Sequence, residues 1–378
     1  MLRRLSLWFL AVVVSLSCSV PTVRAASEEE VEAARKKGMQ YLLDSQLEDG
    51  SWEYPGHELG ITSLCALALI ENGVAVDDPV IEKAERYVLD NYLDVKGTYD
   101  VALGILLLSR VGDRDNKGAI RDLAARLIAG QNNFGGWGYS CPQVRSIYLS
   151  GGGDRPDRPS GAGDNSCTQF ATLGLWVASR SGVNIDDVMA QVAYRFVKDQ
   201  NEDGGWPYKA DGAEVQASRN SMTFAGLFCL TVARANRIRA VQQAEADGKS
   251  APKLPDPLER PAVEPAAAAQ PDPANPEAPA APPVTKPKES DEPFVDPGAE
   301  AKTLQDDPIF SKGFTMASKY SAGISPGASR YFMWSVERMG VILGLEEFGT
   351  TDWFSKGADA LLATQGKPAG EMEGIEGA

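Results

Sequence analysis

Few residues of this chain have the types and spacing that catalysis or metal binding requires. The chain has a single histidine, His57, which excludes zinc sites built on several histidines and most triads that use a histidine base. Asp164 and Cys167 are close in sequence, but only His57 is left as a third zinc ligand. We therefore predict no metal site and no cofactor. Asp164 and Glu337 are the candidates for a catalytic acid, because apolar surroundings raise the pKa of a lone carboxyl group.

The elements that must position these side chains are helices of two kinds, which alternate along the chain. One kind is apolar on all sides and is therefore buried on all sides; its members are 61–70, 101–108, 170–178, 224–233 and 331–345. The other kind is amphipathic and charged; its members are 29–45, 79–91, 117–129, 188–199 and 352–364. This alternation predicts an all-α fold, an α/α toroid of repeated helical hairpins. Its inner ring consists of the apolar helices and its outer ring of the amphipathic helices.

Parallel inner helices would bring a set of polar and aromatic residues together on one face. The residues near their N-terminal ends are His57, Tyr99, Asn165, Gln169, Ser221, Tyr331, Trp334 and Arg338. Polar groups at the mouth of an apolar cavity are typical of ligand sites, and converging helix N-termini favour an anion. The alternative is that these residues cap and cross-link the inner helices. In that case Asp164 and Ser221 are caps, and Glu337 and Arg338 bond across the ring.

A repeated motif marks the ends of three amphipathic helices. The pattern Gln-x-x-x-Gly-x-Trp occurs with Gln46, Gly50 and Trp52, with Gln131, Gly135 and Trp137, and with Gln200, Gly204 and Trp206. A degenerate copy of the motif at 97–99 carries Tyr99 in place of tryptophan. The glycine takes a turn that other residues resist, and the tryptophan packs over the helix end. Because the glutamine amide is available to the backbone of the neighbouring unit, we interpret the motif as a structural link between repeats.

The charge and the N-terminal segment predict an exported protein. The formal net charge of the 378 residues is −15, which disfavours nucleic acid and anionic membrane surfaces as partners. Arg3 and Arg4 precede an apolar run at 5–14, and Ala25 ends a stretch typical of a cleavage site. A lipoprotein signal acylated at Cys18 is the rival interpretation. We predict a signal peptide at 1–25, no transmembrane span after its removal, and a periplasmic or extracellular location.

The composition divides the rest of the chain into further segments. More than half of the prolines lie within residues 245–300, a stretch that has too little apolar surface to fold alone. We predict toroid repeats at 26–244, a disordered Pro- and Ala-rich insertion at 245–306, a continuation of the toroid at 307–366, and a flexible tail at 367–378.

Taken together, these features resemble the prenyltransferase and squalene-hopene cyclase repeat superfamily. The Gln-x-x-x-Gly-x-Trp segments are similar to its repeat motif, and 164–171 and 331–338 are similar to inner-helix starts of exported bacterial members. The resemblance covers 28–240 and 307–365. It implies an α/α toroid around a central cavity, which in the enzymes of that superfamily holds polyisoprenoids.

The catalytic motifs of that superfamily are incomplete in this chain. Hopene-type cyclases use Asp-x-Asp-Asp, whereas the nearest string here begins with Asn184 and ends with Asp186 and Asp187. Its echo ends at Asp78, also just before an amphipathic helix, so we expect these aspartates to be helix N-caps. The zinc ligands of protein prenyltransferases and the Cys-Gly-Glu-Gln string of thioester domains are also missing. Gln365 lacks its Gly-x-Trp, which indicates a ring that is short of a final helix.

Two functional hypotheses follow, and the sequence leaves open whether the protein is an enzyme. The first is an exported repeat protein with a central, aromatic-lined cavity for an apolar, isoprenoid-like ligand. The second is a non-catalytic toroid with a shallow or filled centre that binds a protein, peptide or glycan in the cell envelope. A polysaccharide lyase or hydrolase is a third option, but the paired carboxylates that it needs are absent from the predicted mouth.

Overall fold

The computed structural model describes residues 25–151, 157–209, 216–249 and 307–366. The predicted signal peptide with Cys18, most of the predicted insertion and the predicted tail lie outside these residues. The described residues form α1 (Glu28–Ser45), α2 (Glu58–Glu71), α3 (Pro79–Asn91), α4 (Thr98–Val111), α5 (Lys117–Gly130), α6 (Asn165–Ala178), α7 (Asp186–Lys198), α8 (Asn220–Ala246), α9 (Pro308–Ser321), α10 (Arg330–Leu343) and α11 (Trp353–Leu362). The predicted helical fold is confirmed at this level. A short antiparallel hairpin of β1 (Glu347–Phe348) and β2 (Thr351–Asp352) is a small addition to it.

The apolar helices α2, α4, α6, α8 and α10, here called the core helices, pack in sequence order. Contacts join α2 to α4, α4 to α6, α6 to α8 and α8 to α10. Small residues allow close packing in this series, since a Cβ added to Gly174 of α6 would lie 3.1 Å from the Ala102 Cα of α4. α8 extends well beyond the predicted apolar segment 224–233, because good helix formers continue without glycine or proline up to Gly248.

The amphipathic helices α1, α3, α5, α7, α9 and α11, here called the flanking helices, lie against the core helices. α3 packs on α2 and α4, α5 on α4 and α6, α7 on α6 and α8, and α9 on α8. The first and last helices, α1 and α11, also contact each other. No helix among the described residues combines the length and the apolar character needed to cross a bilayer.

Aspartates cap some flanking helices, but not all of those for which the sequence predicted a cap. Asp78 caps α3, and its side chain accepts a hydrogen bond from Val80 N. The prediction is wrong for Asp186 and Asp187, which lie in the first turn of α7 after the cap residue Ile185. Asn184 Oδ1 accepts a hydrogen bond from Asp186 N at 2.9 Å. The helix therefore already includes Asp186, and its cap residue is Ile185. In that turn the carboxylates interact favourably with the helix dipole.

In the structure, the three Gln-x-x-x-Gly-x-Trp turns make one set of contacts. Each glutamine amide bonds its own turn and also a carbonyl near the start of the next motif-linked flanking helix. The second bonds are Gln46 Nε2 to Val80 O (2.8 Å), Gln131 Nε2 to Val188 O (3.0 Å) and Gln200 Nε2 to Ile309 O (2.8 Å). Each tryptophan indole donates to a carbonyl ten residues earlier, as Trp137 Nε1 does to Leu127 O at 2.7 Å.

The glycines of these turns sit against the backbone of the same neighbouring helix. Gly50, Gly135 and Gly204 have φ angles of 90°, 76° and 91°, in the left-handed region that side chains resist. A Cβ at Gly135 would lie 2.2 Å from the Gln191 carbonyl oxygen of α7. The motif therefore needs glycine both for its turn and for the contact between units.

The degenerate copy of the motif at 97–99 has no glutamine link to a neighbouring flanking helix. A buried arginine makes the contact between α5 and α3 instead. Gly97 has an ordinary φ of −65°. Arg126 of α5 is 1% exposed, and its Nη1 donates to the Tyr92 carbonyl at the end of α3 at 2.8 Å. The sequence pattern did not reveal this contact, because a charged residue on an amphipathic helix is ordinarily solvated.

Candidate ligand-binding site

Hydrogen bonds bring the N-terminal ends of the core helices together on one face. Asp100 Oδ1 of α4 accepts from Gly60 N of α2 at 2.9 Å. Tyr99 OH donates to Ser166 Oγ of α6 at 2.6 Å. A third link joins α10 to α6, through Tyr331 OH and Gln169 Oε1 at 2.5 Å. The predicted residues Tyr99, Gln169 and Tyr331 thus lie near one another.

Asp164, one of the two predicted acids, is a buried helix cap. It is 1% exposed and precedes α6. Its Oδ1 accepts from Cys167 N and Ser166 Oγ, both at 2.6 Å, and its Oδ2 accepts from Tyr208 OH at 3.3 Å. Burial and the charge of Asp164 raise the pKa of the Cys167 thiol, which keeps it neutral and inert. A carboxylate enclosed by its own helix turn has no open side for a substrate.

Asn165, the next predicted mouth residue, is enclosed in the same way. Its side chain is fully buried; Oδ1 accepts from Arg195 Nε at 2.9 Å, and Nδ2 donates to the Pro207 carbonyl at 2.8 Å. Arg195 of α7 is itself buried, and its Nη1 also donates to the Ala162 carbonyl at 2.7 Å. Asn165 therefore joins α6 to α7 and to the turn before α8, and it does not line an opening.

His57 is oriented by a buried carboxylate. Its Nδ1 lies 2.9 Å from Asp100 Oδ2, and Asp100 is 1% exposed. Two glycines make room for this carboxylate, since a Cβ at Gly97 or Gly60 would lie 1.9 Å or 2.6 Å from its oxygens. The imidazole is half-exposed, so the pair links α2 to α4 at the protein surface.

Aromatic rings from three core helices form a stack. Trp334 of α10 lies over Phe170 of α6, with centroids 4.6 Å apart and planes 12° apart. Tyr331 stacks on Trp334 at 5.9 Å, and Tyr99 meets Phe170 edge-on at 4.7 Å. Burial raises the pKa of Tyr99 and of Tyr331, so both hydroxyl groups stay protonated and act as donors. Such rings provide a large, rigid apolar surface.

Trp334 also lines a cavity. This cavity has a volume of about 830 Å³ and lies between α1, α2, α10 and α11. Its wall is mainly apolar, with Met333, Trp353, Phe354 and Leu361 among its members. Its polar members are Arg35, Asn72, Arg330, Glu337 and Gln365.

Glu337, the other predicted acid, lines this cavity but forms an ion pair with the adjacent Arg338. The predicted bonding of these two residues across the ring is wrong, because the Arg338 guanidinium donates to the Glu337 carboxylate on the same helix. Ser221 is not the predicted cap of α8 either. The cap residue is Arg219, and the Ser221 N–H is taken by Asn220 Oδ1 at 2.7 Å.

Gln169 has one unused donor in a buried position. Its side chain is fully buried, and its Oε1 accepts from Tyr331 and Ser335. Its Nε2 has no hydrogen-bond partner in the described part of the protein. The sequence placed Gln169 at the correct helix end but could not reveal this imbalance, because it depends on two residues more than 160 positions away.

A further cavity, of about 350 Å³, lies between α7, α8 and α9. Leu230 and Phe310 contribute apolar surface, and Arg234 at its edge is paired with Asp307 at 3.2 Å. Among the described residues, no group of three or more His, Cys, Asp or Glu side chains is placed to hold a metal ion.

Comparison of this chain with protein-family models, with curated proteins and with solved structures found no match.

Proposed function

We propose that this protein is an exported α/α toroid that binds an elongated apolar ligand of the isoprenoid type in the cavity between α1, α2, α10 and α11. The observation that carries the proposal is the cavity itself. Its volume of about 830 Å³ is within the range of about 300–1,000 Å³ that is usual for small-molecule sites. Its wall is apolar, with a few polar groups that could orient a ligand.

Closure of the helix series supports the toroid. Gln365 Nε2, after the last flanking helix, donates to the Ala34 carbonyl of α1 at 2.7 Å. This is the kind of contact that the other motif glutamines make with the next flanking helix. A second link runs from Ala26 N to Asp359 Oδ1 of α11 at 2.7 Å. On this proposal the core helices belong to the inner ring and the flanking helices to the outer ring.

The aromatic residues indicate how a ligand would be held. Trp334 is shared between the cavity and the ring stack of α6 and α10, so its position is fixed before a ligand arrives. A fixed aromatic wall loses little conformational entropy on binding. Phe354 of α11, which also lines the cavity, is 61% exposed, and a ligand that covered it would gain about 25 cal/mol for each Å² removed from water.

Binding without catalysis fits the carboxyl groups better than a cyclase reaction does. A cyclase acid must deliver a proton to the substrate. Asp164 is enclosed by its own cap contacts, and Glu337 is paired with Arg338. The protein on this proposal carries or stores its ligand.

A direct test begins with organic extraction of the purified full-length protein and mass spectrometry of the extract. We expect an apolar molecule, and we expect farnesol to quench tryptophan fluorescence saturably. Trp334→Ala should weaken farnesol binding about tenfold, since it removes one aromatic wall worth about 1–2 kcal/mol. Trp176→Ala is the matched control, because Trp176 lies on α6 and is not part of the cavity wall.

The proposal is wrong if no apolar molecule is recovered and farnesol does not bind, or if both variants bind it equally.

An envelope glycan is the second candidate, supported by the aromatic residues exposed on the loops before the core helices. Tyr54 and Tyr139 are 56% and 59% exposed, and Tyr139 OH is hydrogen-bonded to Tyr208 OH. Tyrosine rings with fixed hydroxyl groups offer an apolar face and a donor. Sedimentation with insoluble cell-wall polysaccharide tests this candidate: the protein should co-sediment, and Tyr139→Ala should lose that property.

A further inference from the structure

The cavity of about 830 Å³ extends along the height of the core helices. Hydrogen bonds between their N-terminal ends place these ends on one face. The cavity wall includes Arg330, the first residue of α10, and Asn72, which follows the last residue of α2. Because α2 has 14 residues and an α-helix rises about 1.5 Å per residue, the cavity extends over about 20 Å from one end to the other.

Paired polar groups lie at both ends of this length. At the end of α2, Arg35 Nη1 donates to the carbonyl oxygen and to the side-chain oxygen of Asn72, both at 3.2 Å. At the start of α10, Arg330 Nη2 donates to Thr364 Oγ1 at 2.5 Å. An apolar chain longer than the cavity would meet these polar groups, or water, at either end.

The wall between the two ends is mainly apolar. Met333 and Trp334 of α10 and Phe354 of α11 line it. Glu337 lines the same stretch, and its charge is compensated by the ion pair with Arg338. Each methylene group that leaves water along this wall favours binding. The affinity for an apolar chain should therefore rise with its length until the chain reaches both ends.

The length and the volume of the cavity indicate the same size of ligand. An extended peptide backbone advances about 3.5 Å over three bonds, so a carbon chain of similar geometry covers about 20 Å with about four isoprene units of four bonds each. At about 30 Å³ per group, which is the share of one water molecule in the liquid, a volume of about 830 Å³ holds roughly 25–30 groups. A linear isoprenoid of four units, with about twenty carbons, is within both limits.

We propose that the cavity sets the chain length of its ligand and that the ligand is a linear isoprenoid of four units, such as geranylgeraniol. This inference rests on the proposed function, since it specifies the ligand class named there. A shorter chain leaves part of the apolar wall uncovered. A longer chain extends past Asn72 or Arg330 and gains no affinity from its additional units.

Titration of the full-length protein with a series of isoprenoid alcohols, followed by tryptophan fluorescence, tests the length. Geraniol, farnesol, geranylgeraniol and geranylfarnesol have two, three, four and five units. Affinity should rise at least about tenfold from three units to four and change less than about twofold from four to five. A maximum at two or three units, or a further tenfold rise at five, overturns the inference and leaves the proposed ligand class standing. If none of the four alcohols binds, the proposed function is wrong and the inference falls with it.

Gly357 offers a way to shorten the cavity without strain. It lines the cavity near the middle of α11, and no atom lies within 4 Å of a Cβ added there. Gly357→Leu should therefore fold normally and place its side chain midway along the wall. It should lower the affinity for geranylgeraniol at least about tenfold more than the affinity for geraniol, because only the longer chain needs the full length.

Gly118→Leu on α5 is the matched control. An added Cβ at Gly118 is also free of contacts, and the residue is not part of the cavity wall. This variant should bind all four alcohols as the unaltered protein does. If Gly357→Leu lowers the affinity for geraniol and for geranylgeraniol by the same factor, or lowers neither, the cavity does not set the chain length.

Discussion

Gly135 offers the sharpest test of the idea that the repeat turns link one unit to the next. The residue has a φ of 76°, and the substitution Gly135→Ala adds a single methyl group there. That methyl carbon would lie 2.2 Å from the Gln191 carbonyl oxygen and 2.8 Å from the Gln191 carbonyl carbon of α7. Both atoms belong to a helix backbone, which cannot rotate away as a side chain can.

The expected cost has two parts. Placing alanine in the left-handed region costs about 1–2 kcal/mol. Relieving the overlap requires the turn to move away from α7 by about an ångström, which is an overpacking strain of about 1–3 kcal/mol. The same movement stretches the 3.0 Å bond from Gln131 Nε2 to the Val188 carbonyl. We therefore expect Gly135→Ala to lower the free energy of unfolding by about 2–5 kcal/mol.

Urea unfolding, followed by tryptophan fluorescence and by circular dichroism, measures this change. Gly118→Ala is the matched control, because Gly118 lies within α5 and no atom stands within 4 Å of its added Cβ. That control should stabilise the protein slightly, since alanine favours a helix over glycine by about 1 kcal/mol. If Gly135→Ala costs less than about 1 kcal/mol, the turn is not in contact with α7 and the proposed linkage is wrong.

Two further substitutions test closure and pH dependence. Gln365→Ala should lower the free energy of unfolding by about 1 kcal/mol, because it removes the bond to the Ala34 carbonyl. It should also speed amide hydrogen exchange in α1 but not in α6. An equal change of exchange in both helices would show that α11 is not linked to α1 through this bond. Asp122 accepts hydrogen bonds from Ser146 N at 2.6 Å and from Arg145 Nε at 2.8 Å. Burial by itself raises the pKa of the Asp122 carboxyl group, but the hydrogen bonds and the charge of Arg145 outweigh burial, so the pKa is lowered. Its contribution to stability is therefore present above its unfolded pKa of about 3.9 and is lost as pH falls through the lower folded value. Asp122→Asn should cost about 1–2 kcal/mol near neutral pH and progressively less in acid, as urea unfolding at several pH values can measure; a constant difference would contradict the linkage.

The sequence by itself determined the helical content and the alternation of apolar with amphipathic helices, because both depend on residues within one helix length. It also indicated the repeat turns, whose tryptophan contact reaches only ten residues back, as from Trp137 to Leu127. Signals of this kind depend only on residues that are close in sequence, so they do not require contacts between helices.

The tertiary structure alone decided which of the candidate side chains are accessible. Asp164 is closed off by its own helix turn and by Tyr208, 44 residues away, while Trp334 stands between a ring stack and a cavity. The cavity itself is formed by the first two helices and the last two, which are distant in sequence. Its shape depends on how the small rotations between successive packed helices add up, and no local pattern of residues encodes that sum.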